Sequence, residues 1–287
     1  MPGSRTFRLA VALLLTGVIA SIAACRSVPA PRADSNDSGA ASDASTMIDS
    51  RKHGRFLERE LRLDDGVLYR YQVFVPSRKA GGEHPPLMLF LHGSGERGSD
   101  NRKQVEVGLG PVIRERIDEF PAIVVFPQMH AGQAEPYRFT HTALAMLDRS
   151  QDEFGADPKR VLLTGLSMGG YGSYELALMQ PDRFAAVVPI CGGYDPPRAK
   201  DHERIEALGG ALTLDEAARK MAHVPFWIFH GALDDSVPPQ KSREMNAALK
   251  RAGADVRYTE FPRADHNSWD SAYATKELWP WLFAQHR

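Results

Sequence analysis

Gly165–Gly169, which reads Gly-Leu-Ser-Met-Gly, decides the fold because it marks a sharp turn with a serine at its centre. An apolar run, Val161–Leu163, comes before it, and a helix-like run, Gly170–Gln180, comes after it. A strand that turns so tightly into a helix needs small residues on both sides of the serine, and glycine meets that need because it lacks Cβ. A single motif of this kind also arises by chance, so the rest of the chain has to support it.

Short apolar runs alternate with longer amphipathic segments from about Phe56 to the end of the chain. Strands interleaved with helices predict an α/β fold, in which a mostly parallel, doubly wound sheet carries helices on both faces. Tyr69–Val75 alternates like an edge strand and stops at Pro76, and the charged segment Asp195–His223 is too short for a large lid domain. We expect further strands at Leu87–Leu91, Ile123–Phe126, Val161–Thr164, Ala186–Ile190, Phe226–Phe229 and Arg257–Phe261, and helices at Thr140–Phe154, Gly170–Gln180, Gln240–Ala252 and Tyr273–Ala284.

Residues 1–24 have the features of a bacterial lipoprotein signal peptide. Arg5 and Arg8 precede the apolar run Leu9–Ala20, which is too short to span a bilayer comfortably. The run leads into Ile22–Cys25, which resembles a lipobox, the signal in which the cysteine is lipidated and becomes the N-terminus. We therefore expect export and a lipid anchor at Cys25 on the bacterial cell envelope, at the outer membrane or in the periplasm if the source is Gram-negative. An ordinary secretory peptide cleaved nearby is the alternative.

The composition separates a tether from a folded domain. Residues 25–52 are rich in Ala, Ser, Asp and Pro, so we expect a disordered tether there, followed by one folded domain over residues 53–287. The formal net charge is −1, so the chain lacks the basic excess that binding to nucleic acid needs. Its two cysteines, Cys25 and Cys191, predict no disulfide framework, and Cys191 is expected to be a small buried core residue.

A serine hydroxyl becomes a good nucleophile only beside a base, and the base needs an orienting acid. On a doubly wound sheet these groups belong on loops at the carboxyl ends of strands, and the chain offers candidates in the order Ser, Asp, His. Asp234 and Asp235 both follow the strand Phe226–Phe229, and either is otherwise a turn former or a helix cap. His266 lies between the last strand and the last helix and is the candidate base; its alternative is a surface histidine.

A glycine-rich loop, Leu91–Gly98, follows another predicted strand directly. Acyl transfer places negative charge on a carbonyl oxygen, and backbone N–H groups aimed at that oxygen stabilise it. We assign these donors to the N–H of Met168 and to an N–H of the glycine-rich loop, either Ser94 or Gly93. A plain glycine turn is the alternative for the loop.

The remaining histidines give no sign of a metal site. The chain has no His-Glu-x-x-His motif and no cluster of Cys and His along the sequence, so neither zinc nor another cofactor is expected. Two histidines that precede a glycine at a strand end are expected to shape their loops, namely His92 and His230.

Together these motifs resemble the α/β-hydrolase superfamily. More narrowly, they resemble the bacterial esterases related to polyhydroxybutyrate depolymerases and feruloyl esterases, many of which are labelled predicted peptidases or phospholipase/carboxylesterase-like proteins. The resemblance covers about Leu68–Arg287. It implies Ser167 as nucleophile, His266 as base and Asp234 as acid, since related hydrolases have the spacing His-Gly-x-x-Asp-x-x-Val-Pro. The matching stretches are Tyr71–Pro76, Leu89–Gly98, Arg160–Gly172, His230–Pro238 and His266–Trp269.

The resemblance implies a serine carboxylesterase that hydrolyses small-molecule or polymer-linked esters through an acyl-enzyme. One alternative is a peptidase of the prolyl-oligopeptidase type, although such enzymes usually carry a large propeller or cap and Arg51–Tyr69 leaves no room for a propeller. Another is a non-catalytic binding protein on a hydrolase scaffold, which usually lacks a member of the triad. Tyr171, Tyr194 and Trp269 lie near motif residues and are candidates for an aromatic substrate pocket, with core or loop packing as the alternative. Acyl and alcohol specificity and the oligomeric state stay open.

Overall fold

The computed structural model describes the backbone of residues 52–63, 66–132 and 136–287. The predicted signal peptide, the predicted lipidation site Cys25 and nearly all of the predicted tether lie outside the described residues. No helix within these ranges combines the length and the apolar character needed to cross a membrane.

Eight strands form one sheet, in the spatial order β1-β2-β4-β3-β5-β6-β7-β8. The strands from β3 onward run parallel to one another, whereas β2 pairs antiparallel with both β1 and β4. The prediction of a mostly parallel sheet is therefore confirmed. The strands are β1 Arg55–Arg62, β2 Leu68–Val75, β3 Leu87–Leu91, β4 Ile123–Pro127, β5 Val161–Leu166, β6 Ala186–Ile190, β7 Phe226–Gly231 and β8 Val256–Phe261.

Alternate residues of each central strand point to opposite faces of the sheet, and helices cover both faces. The helices are α1 Arg78–Gly81, α2 Leu109–Glu115, α3 Pro136–Phe154, α4 Met168–Met179, α5 His202–Leu208, α6 Leu214–Lys220, α7 Gln240–Arg251, α8 Trp269–Tyr273 and α9 Leu278–Phe283. On β3, Leu87 and Leu89 join an apolar cluster with α3, α4, α6 and α7, while Met88 and Phe90 join a second cluster with α2, α8 and α9. The charged segment expected to be too short for a large lid folds as α5 and α6, each of seven residues.

The prediction that Tyr69–Val75 forms an edge strand is wrong, because β1 pairs along its whole length and occupies the edge. The strand β1 carries five charged side chains in eight residues, so its sequence has no clear apolar alternation. Its outer face is exposed and Leu57 and Leu61 are only half-buried. Charged residues on an exposed edge strand discourage pairing with other chains, and this composition hid the strand from the sequence pattern.

The predicted single helix Tyr273–Ala284 is two helices, α8 and α9, with a break between Tyr273 and Leu278. Pro280 explains the break, because a proline inside a helix has no N–H to donate and its ring collides with the carbonyl four residues earlier. Restarting the helix at Leu278 places Pro280 in the first turn, where its missing N–H costs nothing.

Candidate active site

Ser167 sits on the turn between β5 and α4 in a strained backbone conformation, with φ of 53° and ψ of −116°. Such a conformation in a non-glycine residue costs about 1–3 kcal/mol and needs support from its surroundings. The support is close packing: a Cβ on Gly165 would lie 2.3 Å from the Gly169 carbonyl oxygen, and one on Gly169 would lie 2.0 Å from the Leu91 carbonyl oxygen. Strand and helix therefore touch at both glycines of the motif, as the sequence requires.

The structure brings Ser167, His266 and Asp234 together in a continuous chain of hydrogen bonds. His266 Nε2 lies 2.9 Å from Ser167 Oγ, and His266 Nδ1 lies 2.7 Å from Asp234 Oδ2. The Asp234 side chain is fully buried, whereas 24% of the His266 side chain is exposed. A substrate can therefore reach the imidazole and the hydroxyl, while the carboxylate stays shielded behind them.

Asp234 is oriented by its own loop, and Asp235 is not part of this chain of hydrogen bonds. Asp234 Oδ1 accepts the backbone N–H groups of Ser236 at 2.9 Å and Val237 at 2.8 Å, while Oδ2 faces His266 and also lies 3.2 Å from His230 Nε2. Asp235 is exposed, and its carboxylate contacts the hydroxyl of the adjacent Ser236. The geometry thus separates the two acid candidates that the sequence left open before the resemblance.

Two further histidines hold the loops around this chain. His92 Nδ1 lies 2.6 Å from the Gly93 carbonyl oxygen, and His92 Nε2 accepts the Met129 N–H at 3.0 Å, which fixes one neutral tautomer. Burial lowers the pKa of His92 to about 4. His230 lies 2.7 Å from the Ser242 hydroxyl and 2.9 Å from the Val237 carbonyl, and burial also lowers its pKa. Both rings are therefore uncharged parts of the scaffold at neutral pH.

The glycine-rich loop lies directly against the serine. A Cβ built on Gly93 would lie 3.6 Å from the Ser167 Cβ, and Ser94 opens a short 3-10 turn, Ser94–Glu96, that is exposed at its start. On the other side, Met168 is the first residue of the twelve-residue helix α4, whose N-terminus favours negative charge. The three residues named as oxyanion donors thus flank the serine from two elements.

Cys191 is a neighbour of the site that the sequence placed only in the core. It is fully buried with φ of 41°, and its Sγ, an Asp234 oxygen and a His266 nitrogen lie within 4.8 Å of one another. Burial raises the pKa of the Cys191 thiol to about 12, so the free thiol stays protonated at neutral pH. The sequence feature that could have placed Cys191 beside the site is its position just after β6, at the carboxyl edge of the sheet.

The three aromatic candidates have different surroundings. Trp269 is half-buried and meets the His266 ring edge-on, with ring centroids 5.7 Å apart. Tyr171 is half-buried on the first turn of α4, with the Lys241 ammonium 6.0 Å from its ring centroid. Tyr194 is buried and donates its hydroxyl to the Leu212 carbonyl. Trp269 and Tyr171 therefore border the site, whereas Tyr194 packs in the core.

Fold and site together define an α/β-hydrolase, with a serine on the strand-to-helix turn of a mostly parallel sheet. The model of the prolyl oligopeptidase family matches residues 140–286, just over half of the chain. The chain therefore belongs to the prolyl oligopeptidase family.

Known relatives include several esterases. Esterase LipQ of Mycobacterium tuberculosis is 30% identical over an alignment of 153 residues, and the match covers 43% of this chain and 36% of that protein. Poly(3-hydroxyalkanoate) depolymerase C of Paucimonas lemoignei is 30% identical over an alignment of 122 residues, and the match covers 38% of this chain and 28% of that protein. The chain spans about a third of the length of these curated relatives.

A solved structure described as a thermostable esterase superposes with a TM-score of 0.62 at 29% identity. The superposition covers 84% of this chain and 64% of that one. The expected likeness to α/β-hydrolase esterases is thereby confirmed.

Proposed function

We propose that the chain is a serine carboxylesterase that hydrolyses esters through an acyl-enzyme. The observation that carries the proposal is the continuous contact from Asp234 through His266 to Ser167, with heavy-atom distances of 2.7 and 2.9 Å. Distances of this size permit proton transfer from the hydroxyl to the imidazole. The esterases among the relatives support an ester as the bond that is broken.

The proposed reaction follows from the order of these contacts. Ser167 Oγ attacks the ester carbonyl while His266 Nε2 takes the hydroxyl proton. Asp234 holds the ring through Nδ1–H and stabilises the imidazolium that forms. The imidazolium then protonates the leaving alcohol, and a water molecule releases the acyl group by the same steps.

The negative charge that forms on the substrate's carbonyl oxygen needs backbone N–H donors to stabilise it. We assign one to the N–H of Met168, at the start of α4, and one to the glycine-rich loop at Ser94 or Gly93. Losing one such donor typically costs about 3 kcal/mol of transition-state stabilisation. Tyr171 and Trp269 are assigned to the wall of the substrate pocket, since both border the triad.

Hydrolysis of short p-nitrophenyl esters by the catalytic domain tests this assignment. Ser167→Ala should reduce kcat by about 10⁶-fold, as loss of the nucleophile does in serine hydrolases that depend on a triad. If the wild-type protein hydrolyses the ester and Ser167→Ala hydrolyses it equally fast, the proposal is contradicted. If the wild-type protein hydrolyses no ester, a non-catalytic binding protein is favoured. The complete chain of hydrogen bonds from Asp234 to Ser167 argues against that alternative.

A peptidase is the second candidate, and the match to the prolyl oligopeptidase family over residues 140–286 favours it. The same triad can cleave an amide, so loss of activity on removing the nucleophile does not tell the two functions apart. The test has to compare ester and amide bonds. Matched ester and amide substrates with one acyl group decide between the two activities. We expect the ratio of kcat/KM for the ester to kcat/KM for the amide to exceed the ratio of their uncatalysed hydrolysis rates in buffer. A ratio of kcat/KM values equal to or below the uncatalysed ratio favours the peptidase.

We further propose that the domain works outside the cytoplasm, held to a membrane of the cell envelope by a lipid on Cys25. The charged start, the short apolar run and the Ile22–Cys25 motif support this placement. Substrates joined to a polymer are accessible there. Incorporation of a labelled fatty acid into wild-type protein but not into Cys25→Ala tests the anchor, and equal labelling of both contradicts it.

A further inference from the structure

Lys241, the second residue of α7, extends its side chain along the glycine segment that follows β6. A Cβ built on Gly193 would lie 2.9 Å from both Cβ and Cδ of Lys241, so the aliphatic stem packs against the backbone there. The Lys241 ammonium forms an ion pair with the Asp195 carboxylate and lies 6.0 Å from the centre of the Tyr171 ring. Lys241 is thus held both at its stem and at its charge.

The same glycine segment leads from Lys241 to the triad. Cys191 comes directly before it, and its Sγ, an oxygen of the triad's acid and a nitrogen of the triad's base lie within 4.8 Å of one another. A Cβ built on Gly192 would lie 2.8 Å from the Tyr171 nitrogen, so the segment also contacts the first turn of α4. Lys241 therefore lies beside the backbone that contacts both the triad and Tyr171.

Tyr171 stands one turn after the serine on α4. Its N–H donates to the Ser167 carbonyl at 3.1 Å, which places it in the first turn of the helix. Side chains of a helix tilt toward the helix N-terminus, and the serine lies at that end of α4. The ring is half-buried with the Lys241 ammonium over it, so its remaining exposed surface is available to a substrate.

Asp195 is itself fixed to α4. Arg204 Nη2 donates to the Asp195 carbonyl at 2.8 Å, and Arg204 Nε donates to Glu175 Oε1 at 2.7 Å. Glu175 lies four residues after Tyr171, and its side chain is only 12% exposed. Residues four apart share one face of a helix. The Asp195 backbone is therefore tied to the face of α4 that carries Tyr171, and its carboxylate holds the Lys241 ammonium there.

The exposure of the ion pair indicates a role in geometry rather than in folding. The side chains of Lys241 and Asp195 are 32% and 58% exposed, and ion pairs with so much solvent around them contribute little to stability. An ammonium held over an aromatic ring does, however, restrict how the ring turns. A substrate group that packs on a ring already held in place loses less entropy than one that has to order the ring.

We propose that Lys241 is a positioning residue: paired with Asp195, its ammonium holds the Tyr171 ring as a fixed wall for the substrate group that lies on this side of the serine. The inference rests on the proposed esterase function and adds to it a residue that sets selectivity for the size of that group. Lys241 acts through the ring and not on the reacting atoms.

Two substitutions separate the charge of Lys241 from its stem. Lys241→Arg keeps the stem through Cδ and the positive charge, whereas Lys241→Met keeps a stem of similar length without the charge. Each protein is assayed on an acyl series, p-nitrophenyl acetate and p-nitrophenyl benzoate, and on an alcohol series, methyl acetate and benzyl acetate. The quantity compared is the ratio of kcat/KM for the larger ester to kcat/KM for the smaller ester.

Lys241→Met should lower this ratio by about threefold to fivefold in at least one series, which is what an exposed cation–π contact can supply. The change should come through KM, because the triad is untouched. Lys241→Arg should keep the ratio within about twofold of wild type, since the guanidinium can replace the ammonium over the ring. Lys250→Met, at an exposed lysine near the end of the same helix, is the control and should keep both ratios.

Combination with Tyr171→Leu shows whether Lys241 acts through the ring. If it does, adding Lys241→Met to Tyr171→Leu should not change the ratio further, because no ring is left to hold. Losses that add in the double variant contradict the inference, because Lys241 then acts on the substrate directly. Equal urea midpoints for the variants and the wild type exclude unfolding as the cause of a changed ratio.

Three further results overturn the inference: unchanged ratios in both series for Lys241→Met, a loss carried by kcat alone, or a Lys241→Arg protein as impaired as Lys241→Met. If Tyr171→Leu does not fold, Asp195→Asn takes its place. Removing the charge that holds the ammonium should lower the same ratio, and an unchanged ratio contradicts the inference. Failure of the proposed function itself is distinguishable, since the wild-type protein then hydrolyses neither series.

Discussion

The serine turn and the glycine-rich loop face each other across one site but are held by different forces. At the serine turn, backbone packs on backbone so closely that Gly165 and Gly169 have no space for a Cβ. In the loop, a Cβ on Gly95 meets nothing within 4 Å, and hydrogen bonds from His92 and Gln128 hold the backbone instead. The serine turn should therefore lose stability when a substitution adds volume. The glycine-rich loop should lose stability when a polar partner is removed or changes its protonation state.

Gly169→Ala should cause the largest loss of stability, because it adds volume where the serine turn is packed most tightly. The added Cβ would lie 2.0 Å from the Leu91 carbonyl oxygen, so strand or helix has to move. We expect the free energy of unfolding in urea to fall by about 3 kcal/mol or more. Gly95→Ala is the matched control with open space and should change it by less than about 1 kcal/mol. Equal losses in the two variants contradict the steric account of the serine turn.

The second prediction concerns pH, because His92 is neutral in the fold with a pKa lowered to about 4 from 6.5. The unfolded chain binds the proton first as pH falls, so the folded state loses stability from about pH 6.5 downward until the folded pKa is reached. Between pH 7.5 and pH 5 this residue should remove about 2 kcal/mol from the free energy of unfolding. His92→Gln should be less stable at pH 7.5 but should show a flatter pH dependence. Parallel curves for the two proteins exclude His92 as the titrating group.

Gln128→Ala should have a smaller effect, confined to the glycine-rich loop and its neighbours. Gln128 is buried, accepts the Asn101 N–H at 2.8 Å and donates to the Glu96 carbonyl at 3.0 Å. Leaving these groups without a partner should cost about 1–2 kcal/mol of stability, measured by urea unfolding. Gln240→Ala, which removes an exposed glutamine from the surface of α7, should cost less than about 0.5 kcal/mol. Similar costs for both variants contradict a special contribution of Gln128.

Tyr273→Phe should have the smallest effect and tests a buried hydrogen bond beneath the serine turn. The Tyr273 hydroxyl lies 2.9 Å from Thr164 Oγ1 on β5, and both groups are buried. Loss of this hydrogen bond should cost about 1 kcal/mol. Tyr174→Phe is a matched control, because the buried Tyr174 hydroxyl has no hydrogen-bond partner among the described residues. The control should be neutral or stabilising, and a loss equal to that of Tyr273→Phe contradicts the assignment.

The central strands and the triad geometry were predictable from sequence because they depend on local patterns. Leu87–Leu91 and Ala186–Ile190 are fully apolar runs, and the structure has both strands at the predicted residues. Ser167, Asp234 and His266 each follow a strand of the parallel part of the sheet, so parallel topology brings them to one edge of it. Their catalytic roles stay a prediction until the variants are measured.

The edge strand and the supporting contacts were not predictable in the same way. The strand β1 has charged residues where an apolar alternation was sought, and only its pairing with β2 makes it a strand. The approach of Cys191 to the triad depends on the left-handed turn after β6. Contacts of this kind come from tertiary geometry, which residue spacing alone does not specify.

Covalent labelling of the wild-type protein with a fluorophosphonate, followed by peptide mass spectrometry, shows whether Ser167 is the nucleophile. We expect one adduct, on Ser167, that is absent in Ser167→Ala and forms far more slowly in His266→Ala, because the hydroxyl there lacks its base. An adduct on another residue, or ester hydrolysis that persists with Ser167 unlabelled, would contradict it.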